Sequence, residues 1–218
     1  MQQMNNITQP PDPAQNYLGF QPANPKPQGE GWRSILSTVL LLLAAPLIAL
    51  FLINFVFQSY EVDGPSMEST LYDQDRLIVL KTGKTWARAT GGSFIPKRGD
   101  IVIFNKTRLG QFNGAEKQLI KRVIGLPGER VVVKDGSITV YNREFPGGFN
   151  PDKQADYGDA ILSTSGNLDI TVPKNHIFVS GDNRGNSLDS RDFGTVPAAD
   201  VVGTLALRIF PLNKLEAF

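Results

Sequence analysis

The chain has no cysteine and only one histidine, His176, among its 218 residues. Without cysteine it can form no disulfide, thiol nucleophile, CxxC redox pair or iron–sulfur cluster. A zinc site would need carboxylates for almost all of its ligands, so we expect no metal site. A surplus of charge is also missing, with 22 Lys and Arg against 21 Asp and Glu. This balance argues against nucleic acid as a partner and leaves hydroxyl, amine and carboxylate groups for any chemistry.

The first 31 residues carry few charges, only Asp12, Lys26 and Glu30, but contain six Pro, six Gln and four Asn. A segment of this composition cannot bury enough apolar surface to offset the entropy of ordering the chain. We therefore predict a disordered tail over residues 1–31.

No charged residue occurs between Ser34 and Tyr60, and most of this stretch is Leu, Ile, Ala, Val and Phe. As a helix it would span roughly 40 Å, against about 30 Å for the hydrocarbon core of a bilayer. A cleaved secretion signal is the competing interpretation, but its apolar core would be shorter, about 7–15 residues. The sequence thus predicts a single transmembrane anchor helix over residues 32–60.

The charges that flank the anchor predict its orientation. Lys26 and Arg33 lie before it, whereas the first charges after it are Glu61 and Asp63. Because positive residues favour the cytoplasmic side, we expect a cytoplasmic tail and an extracytoplasmic domain over residues 61–218.

Residues 61–218 contain short apolar runs separated by Gly, Pro, Asn and Asp clusters, the pattern of antiparallel sheets with turns. The runs are Arg76–Leu80, Asp100–Phe104, Leu119–Ile124, Val131–Val133, Ser137–Val140, Ile177–Val179 and Val201–Ile209. No stretch shows an amphipathic helical period. The polar interval 141–173 predicts a small inserted second lobe. The expected fold class is therefore mainly β, with one N-terminal transmembrane helix followed by an antiparallel sheet domain.

A first candidate for chemistry is Ser66, in the segment Gly64-Pro65-Ser66-Met67-Glu68-Ser69-Thr70-Leu71 just after the anchor. Gly and Pro before a serine suggest a fixed turn that presents a hydroxyl. The segment is not the nucleophile elbow of the α/β-hydrolases, because Ser66 lacks a glycine two residues later. An ordinary turn is the alternative interpretation.

A second candidate is Lys121, within the run Gln118–Ile124. In a strand it shares its face with Leu119 and Val123, since side chains alternate between faces. Burial between apolar neighbours disfavours the ammonium form and lowers the pKa of a lysine, which suits a general base. The alternative is a strand-edge lysine whose amine reaches water.

A third candidate is the segment Gly181–Gly194, which is rich in Asp, Asn, Ser and Arg. It is not a calcium loop, because Arg184 occupies the third ligand position and the final Glu is missing. It is either a surface loop of Asx turns or a loop that orders a site.

Two further residues are candidate bases. His176 lies just before the run Ile177–Val179 and most simply begins a strand; the alternative is that it is the catalytic base of a Ser-His-Asp triad. Glu68 is a further candidate base, although it lies close to Ser66 along the chain.

Together these segments resemble the type I signal peptidase family, membrane-bound serine peptidases that remove signal sequences from exported proteins. The resemblance covers nearly all of residues 32–212. It consists of the anchor, the serine segment, Arg98-Gly99-Asp100-Ile101-Val102-Ile103-Phe104, the lysine run and Gly181-Asp182-Asn183-Arg184, in that order. It implies a serine endopeptidase without cofactors that acts on preprotein signal peptides at a lipid bilayer. The implied location is a bacterial plasma membrane, with the thylakoid membrane as the alternative.

The resemblance also assigns roles to individual residues. It makes Ser66 the nucleophile and Lys121 the general base. Ser187 resembles the serine that bonds and orients the lysine amine, and Asp189 and Arg191 resemble an ion pair that braces the site. The other implied residues are Arg122 and Asp182 in supporting positions, and Tyr60, Val62, Met67, Leu71, Leu119 and Ile120 in shallow pockets for small substrate side chains.

Two positions depart from the family pattern. Gly64 replaces a serine whose hydroxyl helps to bind the oxyanion in some members, and Ser69 replaces the usual proline of Ser-Met-x-Pro-Thr-Leu. Two other functions remain open on the residues alone. One is a membrane-tethered Ser-His-Asp hydrolase that uses His176, and the other is a non-catalytic membrane-anchored β module that binds partners through residues 141–173.

Overall fold

A computed structural model describes residues 29–106, 117–153, 161 and 163–218. The chain divides into two compact units, Met1–Pro46 and Leu47–Phe218. The N-terminal helix α1 spans Gly29–Phe51 and continues as one π-helical turn over Leu52–Val56. The stretch Gly31–Val56 is long and apolar enough to cross a membrane, with a mean hydropathy of 2.8.

The apolar helix ends earlier than the anchor predicted over 32–60. Phe57–Glu61 form a strand, in which Gln58 and Tyr60 are half-buried and the other three residues are exposed. This alternation has the period of a strand, and it follows directly on a helical stretch that is apolar on all sides. The two lie in one uncharged stretch of sequence, so the absence of charge alone does not mark the boundary.

The remaining structure is mainly antiparallel β. The strands are β1 (Phe57–Glu61), β2 (Arg76–Leu80), β3 (Ile101–Lys106), β4 (Lys117–Gly125), β5 (Arg130–Lys134), β6 (Ser137–Tyr141), β7 (Leu168–Thr171), β8 (His176–Ser180), β9 (Val196–Pro197), β10 (Val201–Phe210) and β11 (Glu216–Ala217). The larger sheet has the order β1-β2-β10-β3-β4-β8-β9, with β11 paired to β10, and the smaller sheet has the order β6-β5-β7. The predicted fold class, mainly β with one N-terminal apolar helix, is confirmed.

The smaller sheet begins at Arg130, before the lobe predicted over residues 141–173. Two of its strands, β5 and β6, are apolar runs that the sequence marks as strands of the domain. The third, β7, lies within the predicted lobe, where it pairs with β5. Residues 154–160 and 162 of that lobe lie outside the described residues.

Two short helices follow in the domain, α2 (Thr82–Ala89) and α3 (Ser190–Phe193). The expectation that no amphipathic helix occurs is wrong for α2. Its eight residues contain Gly83 and two threonines, and only Trp86 is large and apolar, so the helix is too short for its period to show in the sequence.

Three buried apolar clusters hold the domain together, and one of them underlies the segment that carries Ser66. Its fully or almost fully buried members are Val62, Met67, Leu71, Leu77, Ile101 and Leu205. Each such side chain contributes about 1.5–3 kcal/mol when it is fully withdrawn from water. The cluster therefore fixes the segment 64–71 against β2, β3 and β10.

Candidate active site

Ser66 sits in a short loop whose ends are fixed. Gly64 has φ +95°, a conformation that a residue with a side chain adopts only with strain. The Gly64 N–H donates to Asp73 Oδ1 (2.9 Å), and the Leu71 N–H donates to the Met67 carbonyl (2.8 Å). Met67 and Leu71 are both completely buried. Two buried apolar side chains and a glycine with positive φ thus hold the loop around the serine.

Lys121 lies on β4, and its amine reaches this loop. Lys121 Nζ donates to Ser66 Oγ at 2.7 Å and to the Ile120 carbonyl oxygen at 2.8 Å. The residue is only 3% exposed. The structure therefore brings together the serine and the lysine that the sequence singled out, which are 55 positions apart in the chain.

The surroundings of Lys121 favour its neutral form. Burial lowers the pKa of the Lys121 amine to about 8, although the carboxylates of Asp189 and Asp182 act in the opposite direction. Lys117 lowers the pKa further through charge repulsion. At neutral pH roughly a tenth of such an amine is unprotonated and can accept a proton. For a lysine with the ordinary pKa of 10.5, the unprotonated fraction at neutral pH is less than a thousandth.

A second set of bonds ties the serine loop to β4 and to the loop after β8. Arg122 pairs with Asp182 through two parallel bonds, Nε to Oδ1 at 2.8 Å and Nη2 to Oδ2 at 2.6 Å. Thr70 Oγ1 donates to Asp182 Oδ2 at 2.6 Å. Arg122 Nη1 also donates to the Gly99 carbonyl at 2.8 Å. Two-point pairs of this kind fix orientation as well as distance.

Asp189, which is fully buried, is the centre of a third set of bonds. Its carboxylate accepts from Arg191 Nε and Nη2 (both 2.8 Å) and from the Gly181 N–H (2.9 Å). Burial raises the pKa of the Asp189 carboxyl, but the bonds and charge of Arg191 outweigh burial and hold the pKa below its ordinary value. Asp189 is therefore an anion that pairs with Arg191.

Ser187 does not bond the lysine as the resemblance leads us to expect. Its hydroxyl donates to Asp189 Oδ2 at 2.9 Å, and the described residues show no hydrogen bond between Ser187 and Lys121. The single proton of the Ser187 hydroxyl therefore goes to the Asp189 carboxylate, while the Lys121 amine donates to Ser66 and to the Ile120 carbonyl.

Two residues of the site carry no role in the sequence analysis. Gly181 leaves no room for a side chain, because a β-carbon there would lie 2.3 Å from the Ser66 carbonyl oxygen. Arg184 is 3% exposed; its Nε donates to the Gly181 carbonyl (2.9 Å), and its guanidinium pairs with Asp152 at 2.6 Å. The signal that could have found Arg184 is its place in a polar loop next to a glycine. Its partner, 32 residues away, has no such signal.

A cavity of ≈ 120 Å³ opens beside the serine and the lysine. Its lining includes Tyr60, Val62, Leu119 and Ile120 from the predicted pocket residues, together with Ser66 and Lys121. The other two predicted pocket residues, Met67 and Leu71, do not line it, since they are completely buried in the apolar cluster beneath the loop. The cavity is small, and its lining combines apolar side chains with Ser66 and Lys121.

The two other candidate bases, His176 and Glu68, make their hydrogen bonds with residues other than Ser66. His176 begins β8, pairs with Pro197 and has its Nδ1 3.0 Å from the Lys174 carbonyl oxygen. Glu68 Oε2 accepts a long bond of 3.4 Å from Asn183 Nδ2. Neither makes a hydrogen bond to Ser66 within the part of the chain that the structure describes. That part also contains no group of three or more His, Asp or Glu placed to hold a metal ion.

A serine hydroxyl bonded to a buried amine of lowered pKa is the arrangement that a serine hydrolase with a lysine base requires. The family model described as "Signal peptidase, peptidase S26" matches residues 35–210. Signal peptidase I P of Bacillus subtilis subsp. natto is 37% identical over 83% of this chain and 94% of its own. The probable signal peptidase I-1 of Synechocystis is 34% identical over 84% and 86%. A crystal structure of a signal peptidase I from Enterococcus faecalis is 30% identical, with a TM-score of 0.36, over 51% of this chain and 97% of that one.

The chain therefore belongs to the signal peptidase family, peptidase S26, and is a serine endopeptidase. Membership of this family together with one N-terminal apolar helix suggests a membrane-anchored protein.

Proposed function

We propose that this chain removes N-terminal signal peptides from exported preproteins, with Ser66 as the nucleophile and Lys121 as the general base. The observation that carries the proposal is the 2.7 Å contact between Lys121 Nζ and Ser66 Oγ, made by an amine that is almost completely buried. Lysine suits this role where arginine cannot, since a guanidinium does not lose its proton in proteins. No metal or organic cofactor is needed for this chemistry.

In the proposed reaction the neutral Lys121 amine accepts the Ser66 proton while Ser66 Oγ attacks the scissile carbonyl carbon. The resulting ammonium donates its proton to the leaving amide nitrogen as the C–N bond breaks, which leaves the signal peptide esterified to Ser66. Lys121 then accepts a proton from water as the water oxygen attacks the ester. It returns that proton to Ser66 Oγ when the C–O bond breaks, and the enzyme is restored.

The oxyanion of each tetrahedral intermediate needs hydrogen-bond donors. The Ser66 N–H is the proposed donor, because it has no hydrogen-bond acceptor among the described residues. Some members of the family that the sequence resembles have a serine hydroxyl at the position of Gly64. Gly64 has no side chain to donate, so a second donor must come from water or another backbone amide. The remaining implied residues would position Ser66 and Lys121. Arg122 and Asp182 would do so through the bond of Asp182 to Thr70. Arg191, Asp189 and Ser187 would do so through the bond of Asp189 to Gly181.

We propose that the substrate binds as an extended strand with small side chains next to the cleaved bond. The small cavity beside Ser66 and Lys121, of ≈ 120 Å³, supports a preference for small side chains at this point. β3 pairs with β4 over Lys117–Arg122, whereas β8 pairs with β4 only from Arg122 onward. Among the described residues no strand covers the other edge of Leu119 and Ile120, which is where an added strand could bond. Tyr60, Val62, Leu119 and Ile120 would contact the substrate.

The proposed topology is a single-pass protein of a bacterial plasma membrane, with the tail in the cytoplasm and the catalytic domain on the other side. The flanking charges support it. Because the chain has no cysteine, a single introduced cysteine tests it cleanly. An impermeant maleimide added to intact cells should label Lys134→Cys, which is exposed, and should not label Gln21→Cys. The reverse labelling would overturn the orientation.

Catalysis is tested with the purified protein in detergent and a preprotein substrate. Ser66→Ala, Lys121→Ala and Lys121→Arg should each abolish cleavage, whereas His176→Ala should cleave at the wild-type rate. Active Lys121→Ala with inactive His176→Ala would favour the Ser-His-Asp hydrolase. A wild-type protein that never cleaves would favour a binding module. Replacing the residue before the cut by Phe in the preprotein should block cleavage if the small cavity receives that side chain.

A further inference from the structure

The helix α2 is bonded to the C-terminal end of the apolar segment. Lys81 Nζ donates to the Asn54 carbonyl at 2.8 Å, and Thr85 Oγ1 donates to the Phe55 carbonyl at 3.1 Å. The Lys81 N–H also donates to the Val56 carbonyl at 2.9 Å. The last carbonyls of a helix have no partner within it. Here the first turn of α2 supplies the partners, so α2 is held beside the end of that segment.

An exposed apolar groove runs between the two elements. It has a volume of ≈ 540 Å³, and its lining includes Phe51 and Phe55 from the apolar segment and Trp86 and Ala89 from α2. Trp86 is 74% exposed, and the two phenylalanines are at least half exposed. Exposed apolar surface of this kind marks a contact with a partner or with lipid.

The charges of α2 are all of one sign. Between Lys81 and Ala89 there are three basic residues, Lys81, Lys84 and Arg88, and no acidic residue. Lys84 donates to the Ala199 carbonyl at 2.9 Å and lies within electrostatic reach of Asp200, so one negative charge faces this element. The segment as a whole keeps a positive excess. Basic residues next to a membrane span are attracted to anionic lipid headgroups.

We propose that α2 lies in the headgroup region of an anionic bilayer, with Trp86 inserted at the interface and the exposed Arg88 facing lipid phosphates. A lipid surface is favoured over a protein partner because the groove is continuous with the apolar segment, which contributes Phe51 and Phe55. Tryptophan also prefers this depth of a bilayer. The contact would give the domain a second attachment and so limit its rotation about the anchor. The proposal rests on the membrane anchoring in the proposed function and is independent of the Ser66–Lys121 chemistry.

The test uses the full chain in vesicles and the fluorescence of a single tryptophan. The chain has two tryptophans, Trp32 and Trp86, so Trp32→Phe leaves Trp86 as the only reporter and Trp86→Phe leaves Trp32. Vesicles are made of phosphatidylcholine with phosphatidylglycerol, with bromine on the acyl chains either near the headgroup or near the terminal methyl. Trp86 should be quenched at least about twofold more by bromine near the headgroup, as an interfacial side chain requires. It should also be shielded from aqueous acrylamide.

Trp86 that is quenched by acrylamide and not by brominated lipid would overturn the proposal. Trp32 serves as the matched control. If the anchor itself does not enter the bilayer, neither tryptophan is quenched by lipid, and if only the α2 contact is absent, Trp32 is quenched and Trp86 is not. Ser66→Ala in the same background should leave the quenching unchanged, which separates this contact from catalysis.

The preference for anionic lipid is tested by omitting phosphatidylglycerol. Quenching of Trp86 should weaken in phosphatidylcholine alone, and Arg88→Gln should remove most of the difference between the two lipids. Equal quenching with and without phosphatidylglycerol would overturn the role of the basic residues.

Discussion

Gly181 lies so close to Ser66 that a β-carbon at position 181 would be 2.3 Å from the Ser66 carbonyl oxygen. The same β-carbon would meet the Ser187 hydroxyl, also at 2.3 Å. Two residues further along, the Asn183 N–H donates to the Ser66 carbonyl at 3.2 Å. The backbone after β8 thus packs directly on the backbone of the proposed nucleophile.

This packing predicts that Gly181→Ala displaces Ser66 from Lys121. We expect a loss of cleavage rate of at least about 100-fold, because small misplacements of reacting groups cost this much. Gly185→Ala is the matched control, since a β-carbon at position 185 meets nothing within 4 Å. Steady-state cleavage of a preprotein by both variants measures the effect, and equal rates would show that the close approach does not position the serine.

The lowered pKa of Lys121 predicts an alkaline rise in activity. Only the neutral amine can accept the Ser66 proton, so kcat/KM should increase with pH and level off above an apparent pKa near 8. Cleavage of a peptide substrate between pH 6 and 10 measures this limb. A profile that is flat from mildly acidic pH upward would show that another group, of lower pKa, is the base.

The same burial predicts that Lys121 destabilises the fold at neutral pH. The pKa of the amine is about 8 in the folded chain and 10.5 without burial. Below pH 8 the amine is charged in both states, so the folded state carries the full cost of burying a charge. The cost falls as the pH rises from about 8 to 10.5. Lys121→Met should therefore stabilise the protein at pH 7 by about 1–3 kcal/mol.

Thermal unfolding in detergent measures this difference. The gain from Lys121→Met should shrink steadily between pH 8 and 10, and Lys134→Met, at an exposed lysine, should show no such trend. A Lys121→Met protein that is less stable than wild type at pH 7 would mean that the bonds to Ser66 and Ile120 outweigh the cost of burial.

Much of the fold follows from local sequence. The apolar run Arg76–Leu80 has the same bounds as β2, and the neighbours of Lys121 predict its burial because strand side chains alternate. β7 was not predicted, because its strand-like alternation covers only the four residues Leu168–Thr171 within a polar interval, and its pairing comes from β5. The boundary between helix and strand at Phe57 was missed because no charged residue lies on either side of it between Ser34 and Tyr60.

The site shows a similar division. Ser66 and Lys121 were predicted from the chemistry of their own segments and from the family resemblance, and the structure brings their side chains together. The partner of Ser187 was not predicted, because a hydroxyl can either donate to a carboxylate such as Asp189 or accept from the Lys121 amine. The bond between Arg184 and Asp152 joins two loops 32 residues apart. Contacts of this kind depend on tertiary packing and leave no local pattern.

Two arginine–aspartate pairs of similar geometry and different burial give the last prediction. In the Arg184–Asp152 pair the side chains are 1% and 8% exposed, and in the Arg130–Asp169 pair both are 53% exposed. Arg184→Met would leave the Asp152 carboxylate buried without its main partner, at a cost of about 3–5 kcal/mol. Arg130→Met should leave the unfolding midpoint unchanged within error, because water solvates the released Asp169. Both variants remove one positive charge, so thermal unfolding of the pair isolates burial. Equal shifts would show that the Arg184–Asp152 bond does not hold the loop after β8 in place.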